Sequence, residues 1–108
     1  MDQDAQKMMM ELQKTQQSLQ TVAQQAEETQ NELNGVEKAL EELKESEGQV
    51  YKSVGELLVE RDRDDLEDEL EESKEDLGIR LKGLNRKEEK LRKKIQENQE
   101  KFSQNFQG

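Results

Sequence analysis

Residues 49–60 read Gln49-Val50-Tyr51-Lys52-Ser53-Val54-Gly55-Glu56-Leu57-Leu58-Val59-Glu60. Two short runs of β-branched or apolar residues flank one glycine, which is the pattern of a β-hairpin. Val50, Tyr51 and Val54 favour strand, and Gly55 offers the positive φ that a tight turn needs. Residues 56–61 would also suit the opening of a helix, because Glu, Leu and Arg are good helix formers. That reading leaves the strand-like run at 50–54 without a role.

On the N-terminal side, alternate steps of three and four from Ala5 reach Met8, Leu12, Thr15, Leu19, Val22, Ala26, Thr29, Leu33, Val36, Leu40 and Leu43. This is a heptad seam, and the residues between its positions are almost all polar. It predicts a helix over about 4–46, roughly 60 Å long at about 1.5 Å per residue, too long for an ordinary globular helix.

On the C-terminal side, a second seam reads Leu66, Leu70, Leu77, Leu81, Leu84, Leu91, Ile95 and Phe102, with Lys74, Glu88 and Asn98 as polar interruptions. The predicted helix covers 63–105. Asp62, Asp64 and Asp65 suit its positive end, and the bases from Arg86 to Lys101 suit its negative end. Gly78 and Gly83 are discordant, since each costs about 1 kcal/mol relative to alanine inside a helix; they mark a flexible or closely packed stretch.

Helix, hairpin, helix of matched lengths is a mainly α fold, a long antiparallel two-helix coiled coil with a central β-hairpin. Leu40 and Leu43 should then lie near Leu66 and Leu70, and Met8 and Leu12 near Asn98 and Phe102. One end is electrostatically awkward. Residues 60–76 carry eleven acids and three bases, opposite Glu37, Glu41, Glu42, Glu45 and Glu47, with no evident intrachain remedy.

Composition removes most other classes. The 108 residues include no cysteine, histidine or proline, so there is no disulfide framework, thiolate, imidazole base or imidazole metal ligand. No enzyme activity and no cofactor is expected. With 29% hydrophobic and 41% charged residues, the chain is a poor compact monomer, and a net charge of −10 disfavours nucleic acid and anionic lipid as partners. No apolar run approaches the roughly 20 residues of a membrane span, and the first residues lack the pattern of a signal peptide, so the expected compartment is the cytoplasm.

The hairpin has apolar residues on both faces: Val50 and Val54 on one, Tyr51 on the other, with Leu57, Leu58 and Val59 divided between them. A lone hairpin is marginal in water, and burying each such side chain contributes about 1.5–3 kcal/mol, so these residues should pair with hairpins of other subunits. At the other end, all four methionines lie in the first ten residues and both phenylalanines in the last seven. An antiparallel arrangement gathers Met8, Met9, Met10, Leu12, Phe102 and Phe106 at one tip, more apolar residues than a seam can bury. Methionine's flexibility suits a surface that must fit many partners. The plainer alternative makes Met8 and Phe102 seam residues and Met9 and Met10 part of a fraying terminus.

A heptad helix, then VYKSVGELLVER, then LEDELEESKEDLGIRLKGLNRKEEKLRKKI resembles the beta class of the prefoldin family, archaeal and eukaryotic co-chaperones. The resemblance covers nearly the whole chain as a single domain and is most specific at Val50, Tyr51, Lys52, Val54, Gly55, Leu58 and Val59. It implies a hetero-hexamer of two alpha-type and four beta-type subunits, joined through the hairpins in an oligomeric β-barrel body with projecting coiled-coil tentacles. It also implies an ATP-independent holdase whose tips bind non-native proteins and deliver them to a group II chaperonin. The single hairpin argues for the beta class.

Other constellations have plainer explanations. Asp62-x-Asp64 echoes an EF-hand opening, but no glycine follows at the sixth place, so no metal site is expected. Glu41 and Glu42 have nothing to bury them as an acid–base pair. The basic run at 86–94 is interrupted by Glu88 and Glu89 and has no aromatic partner, unlike a nucleic-acid stripe. Arg92, Lys93, Lys94 and Lys101, toward the tip, are candidates for charge-mediated chaperonin docking. The rival to a holdase is a structural coiled-coil scaffold or tether without client binding.

Overall fold

In the computed structural model, residues 3–104 are described in full and 105–107 as helical backbone. The elements are α1 (Gln3–Glu45), β1 (Val50–Val54), β2 (Leu57–Arg61) and α2 (Arg63–Gln107). Observed helix ends lie within two residues of those expected from the sequence. The chain divides into two compact units, one of residues 29–80 and one of residues 1–28 with 81–108.

In the unit of residues 29–80, the end of α1 packs on the start of α2. Leu40, Leu43 and Leu66 are buried, and Leu33, Val36, Leu70 and Leu77 are half-buried. Gly35, Val36 and Ala39 of α1 line one groove with Leu70, Ser73 and Leu77 of α2, the antiparallel pairing expected from the seams. In the other unit, Ala5, Val22 and Ala26 are buried, while Leu81, Leu84, Leu91 and Ile95 are half-buried. There Thr21, Val22 and Gln25 share a groove with Lys87 and Leu91.

Every α1 seam position is buried or half-buried, including the two threonines. Thr15 is tolerated because its hydroxyl donates to the Glu11 carbonyl at 2.8 Å, so no polar group is stranded in the seam. The α2 seam departs from expectation at one place. Ser73 is half-buried and Lys74 exposed, so the inward positions run 70, 73, 77, 81. The two consecutive four-residue steps therefore fall at 73, 77 and 81 instead of 66, 70 and 74, which carries the long lysine side chain out to solvent.

Gly78 and Gly83 sit in ordinary helix, and an added Cβ would meet nothing within 4 Å at either. Close packing therefore does not explain them. Nor does α2 end on a base: it runs to Gln107 with no basic residue in its last turn, which leaves the run ending at Lys101 too far upstream to complement the dipole fully.

The N-terminus of α2 behaves as expected. Asp62 caps it, its Oδ1 accepting from the Asp65 amide at 3.1 Å and its carbonyl from the Leu66 amide at 3.0 Å, with Asp64 and Asp65 in the first turn. No helix among the described residues is long and apolar enough to cross a membrane.

Candidate functional site

β1 and β2 pair antiparallel in the register Val50 to Arg61, Tyr51 to Glu60, Lys52 to Val59, Ser53 to Leu58 and Val54 to Leu57. Gly55 turns the chain at φ 61°, and Glu56 keeps a negative φ, the combination of a type II′ turn whose twist matches the strands. Directly paired residues share a face. Val50, Lys52, Val54, Leu57, Val59 and Arg61 therefore lie on one face, and Tyr51, Ser53, Leu58 and Glu60 on the other.

Apolar residues are exposed on both faces. Leu58 is 74% exposed, Leu57 69%, Tyr51 54%, Val54 53% and Val59 41%, whereas Val50, at the base, is half-buried. A surface of this kind loses stability in water unless it is covered.

The first face is tied to α2 by charge. Glu69 places one carboxylate oxygen against each strand: Lys52 Nζ donates to Oε1 at 2.5 Å and Arg61 Nη2 to Oε2 at 2.7 Å. The Lys52 hydrogen bond, and then that from Arg61, holds the Glu69 carboxyl below the ordinary glutamate range. Lys44 also pairs with Glu71 at 3.9 Å. The acidic end thus has a partial intrachain remedy that is not evident from sequence: Lys44, Lys52 and Arg61 reach two of its acids, Glu69 and Glu71.

A second device braces the helix–strand junction. Arg63, the first residue of α2, donates from Nη1 to the Leu43 carbonyl at 2.5 Å and from Nη2 to the Gly48 carbonyl at 2.9 Å. Gly48 has φ 89°, which lets the chain leave α1 and enter β1 without strain. Neither Glu69 nor Arg63 was singled out by sequence, because both act on residues eight or more positions away.

At the other candidate site, Met8, Met9, Leu12 and Phe102 are half-buried and Met10 is 69% exposed, all in the unit of residues 1–28 and 81–108. The Phe106 side chain lies outside the described residues. Arg92, one of the four bases considered for docking, pairs with Glu88 at 2.6 Å, and that contact satisfies an acid facing the seam. Asn98, also at the seam, has a buried Nδ2 with no hydrogen-bond partner among the described residues. Among the described residues no group of three or more acidic side chains is placed to hold a metal ion.

These features define a coiled-coil protein whose β element is a hairpin with two exposed apolar faces, clamped by charge to the second helix. The chain matches the family described as prefoldin subunit over residues 6–108. It is similar to the crystal structure of the prefoldin beta subunit from Thermococcus strain KS-1, with a TM-score of 0.86, 37% identity, and coverage of 95% of this chain and 92% of that one. It is also 48% identical over 56 residues to the prefoldin subunit beta of Archaeoglobus fulgidus, covering 52% of this chain and 48% of the relative. For the corresponding protein of Methanocella arvoryzae the identity is 43% over 54 residues, covering 50% and 43%. The chain spans about half the length of the curated relatives it matches. It belongs to the prefoldin subunit family, in the beta class.

Proposed function

We propose that the chain is one subunit of an ATP-independent molecular chaperone, a holdase that assembles through its hairpin and binds non-native proteins at the end bearing its termini. The observation that carries this reading is the exposure of Tyr51, Val54, Leu57, Leu58 and Val59 on both faces of a two-stranded sheet. A sheet of two strands offers two open edges, and strands from neighbouring subunits would satisfy those edges while covering the side chains. In the beta class this corresponds to a β-barrel body of a hexamer with two alpha-type and four beta-type subunits, acting in the cytoplasm. Binding, not catalysis, is the activity.

Clients would be held at Met8, Met9, Met10, Leu12, Phe102 and Phe106 and passed to a group II chaperonin. Met10 supports this most directly, because it lies off the seam and is open to solvent beside half-buried Met9. A mere tether needs Met8, Leu12 and Phe102 to fill the seam but has no use for an exposed methionine there. Native mass spectrometry of the chain alone and mixed with an alpha-type prefoldin subunit tests the assembly. A hexamer only of the wild-type hairpin supports the reading, whereas the same hexamer from a Tyr51→Ser, Leu57→Ser, Leu58→Ser, Val59→Ser chain contradicts it.

A further inference from the structure

The hairpin poses a problem that its apolar residues do not solve. Both faces carry exposed apolar side chains, so hydrophobicity gives little preference for which face turns toward α2, and a strand with weakly contrasted faces has weakly specified register. The charged residues are distributed differently. Lys52 on β1 and Arg61 on β2 both belong to the face of Val50, Val54, Leu57 and Val59, whereas the opposite face offers only Glu60 as a charged group. A single carboxylate on α2, that of Glu69, takes one cation on each of its oxygens.

We propose that Glu69 is the positioning residue that fixes the facing and register of the hairpin on α2, so that the assembly surface is presented in one pose. Turning the sheet over would set Glu60 toward Glu69, acid against acid. Sliding one strand by a single residue would replace Lys52 with Tyr51 or Ser53 and leave one carboxylate oxygen without its cation. Only the observed arrangement gives the carboxylate two charge-assisted bonds, one per strand. The contact is partly exposed, so its strength is modest, but it discriminates between alternatives that differ by the sign of a charge. The pose now fixed turns Leu58 and Tyr51 away from α2.

This inference rests on the assembly reading for its consequence but not for its test. The chain has no cysteine, so spin labels at Glu56→Cys in the turn and Glu72→Cys on α2 report the hairpin's pose in the dilute protein. The unmodified clamp should give one narrow distance distribution. Glu69→Ala, which leaves a good helix former in α2, should broaden or split it at unchanged helix content, and should weaken association roughly three- to tenfold. Glu69→Arg combined with Lys52→Glu, Arg61→Glu and Glu60→Lys, which reverses every charge the carboxylate could meet on either face, should restore the narrow distribution, which a purely packing role for Glu69 would not allow. A distribution that stays narrow in Glu69→Ala, or that the quadruple exchange leaves broad, overturns the proposal. Failure of the unsubstituted chain to associate with any prefoldin subunit would instead count against the assembly reading, and the distances would still decide the clamp.

Discussion

Arg63 Nη1 lies 2.5 Å from the carbonyl oxygen of Leu43, twenty positions earlier in the chain. The first residue of the second helix thereby caps the last turn of the first, placing a cation where α1 has unpaired carbonyls and a negative dipole end. The same guanidinium reaches Gly48, so one side chain ties α1, the approach to β1 and α2 together.

Replacing Arg63 with alanine should therefore lower stability by about 1 kcal/mol. Arg63→Lys should recover only part of this, because an ammonium cannot present the planar fork that reaches both carbonyls. Chemical denaturation of the three proteins, followed by helical circular dichroism, checks the order.

Gly78→Ala and Gly83→Ala should each stabilise the chain by about 1 kcal/mol, since both glycines have helical backbone and open space where the methyl group would go. Thermal melts of the single and double variants measure this. A loss of stability would mean that the glycines serve a contact made only in the assembly.

Asn98→Leu should raise stability by about 1 kcal/mol, because the change removes a buried amide nitrogen without a partner and adds an apolar seam residue. A polar residue at a seam position also specifies register, so the variant should form a more stable but less uniquely aligned helix pair. Broadened amide resonances near residue 98 beside a raised melting point would show both effects.

The Glu69 clamp carries a definite pH dependence. Its folded pKa is depressed, so its contribution is fully present above the ordinary glutamate value of about 4.3 and is lost as pH falls through the lower folded value. The groups set to act on it are Lys52 and Arg61 from the strands, with Asp65 and Glu72 one turn away on α2. Protection of the hairpin amides from hydrogen exchange should exceed that in Glu69→Gln at pH 6 and converge with it as pH falls below the ordinary glutamate range. Equal protection at both pH values would contradict the clamp.

The first helix was legible from sequence because its seam keeps a strict heptad, and a 3.5-residue repeat names its inward positions without reference to any partner. The hairpin was equally legible from Gly55 between two β-prone runs, and both the turn and the division of Leu57 and Val59 from Leu58 agree with its alternation. The second helix is ambiguous at one place, because Leu70 and Leu77 are seven apart and can be joined through either Ser73 or Lys74, both polar, and only the packing turns Ser73 inward. The clamp was hidden for a different reason. Glu69 lies in a run of acids, and nothing in sequence separates it from its neighbours until strand register brings Lys52 and Arg61 to the same face.

Suppression of client aggregation by the assembled complex, before and after Met8→Ser, Met9→Ser, Met10→Ser, Phe102→Ser and Phe106→Ser are introduced together, tests the division of labour between the terminal segments and the central hairpin most directly. Native mass measurement should show the variant hexamer intact while protection of a denatured client falls to the level of buffer. Full protection by an intact variant hexamer would contradict the account.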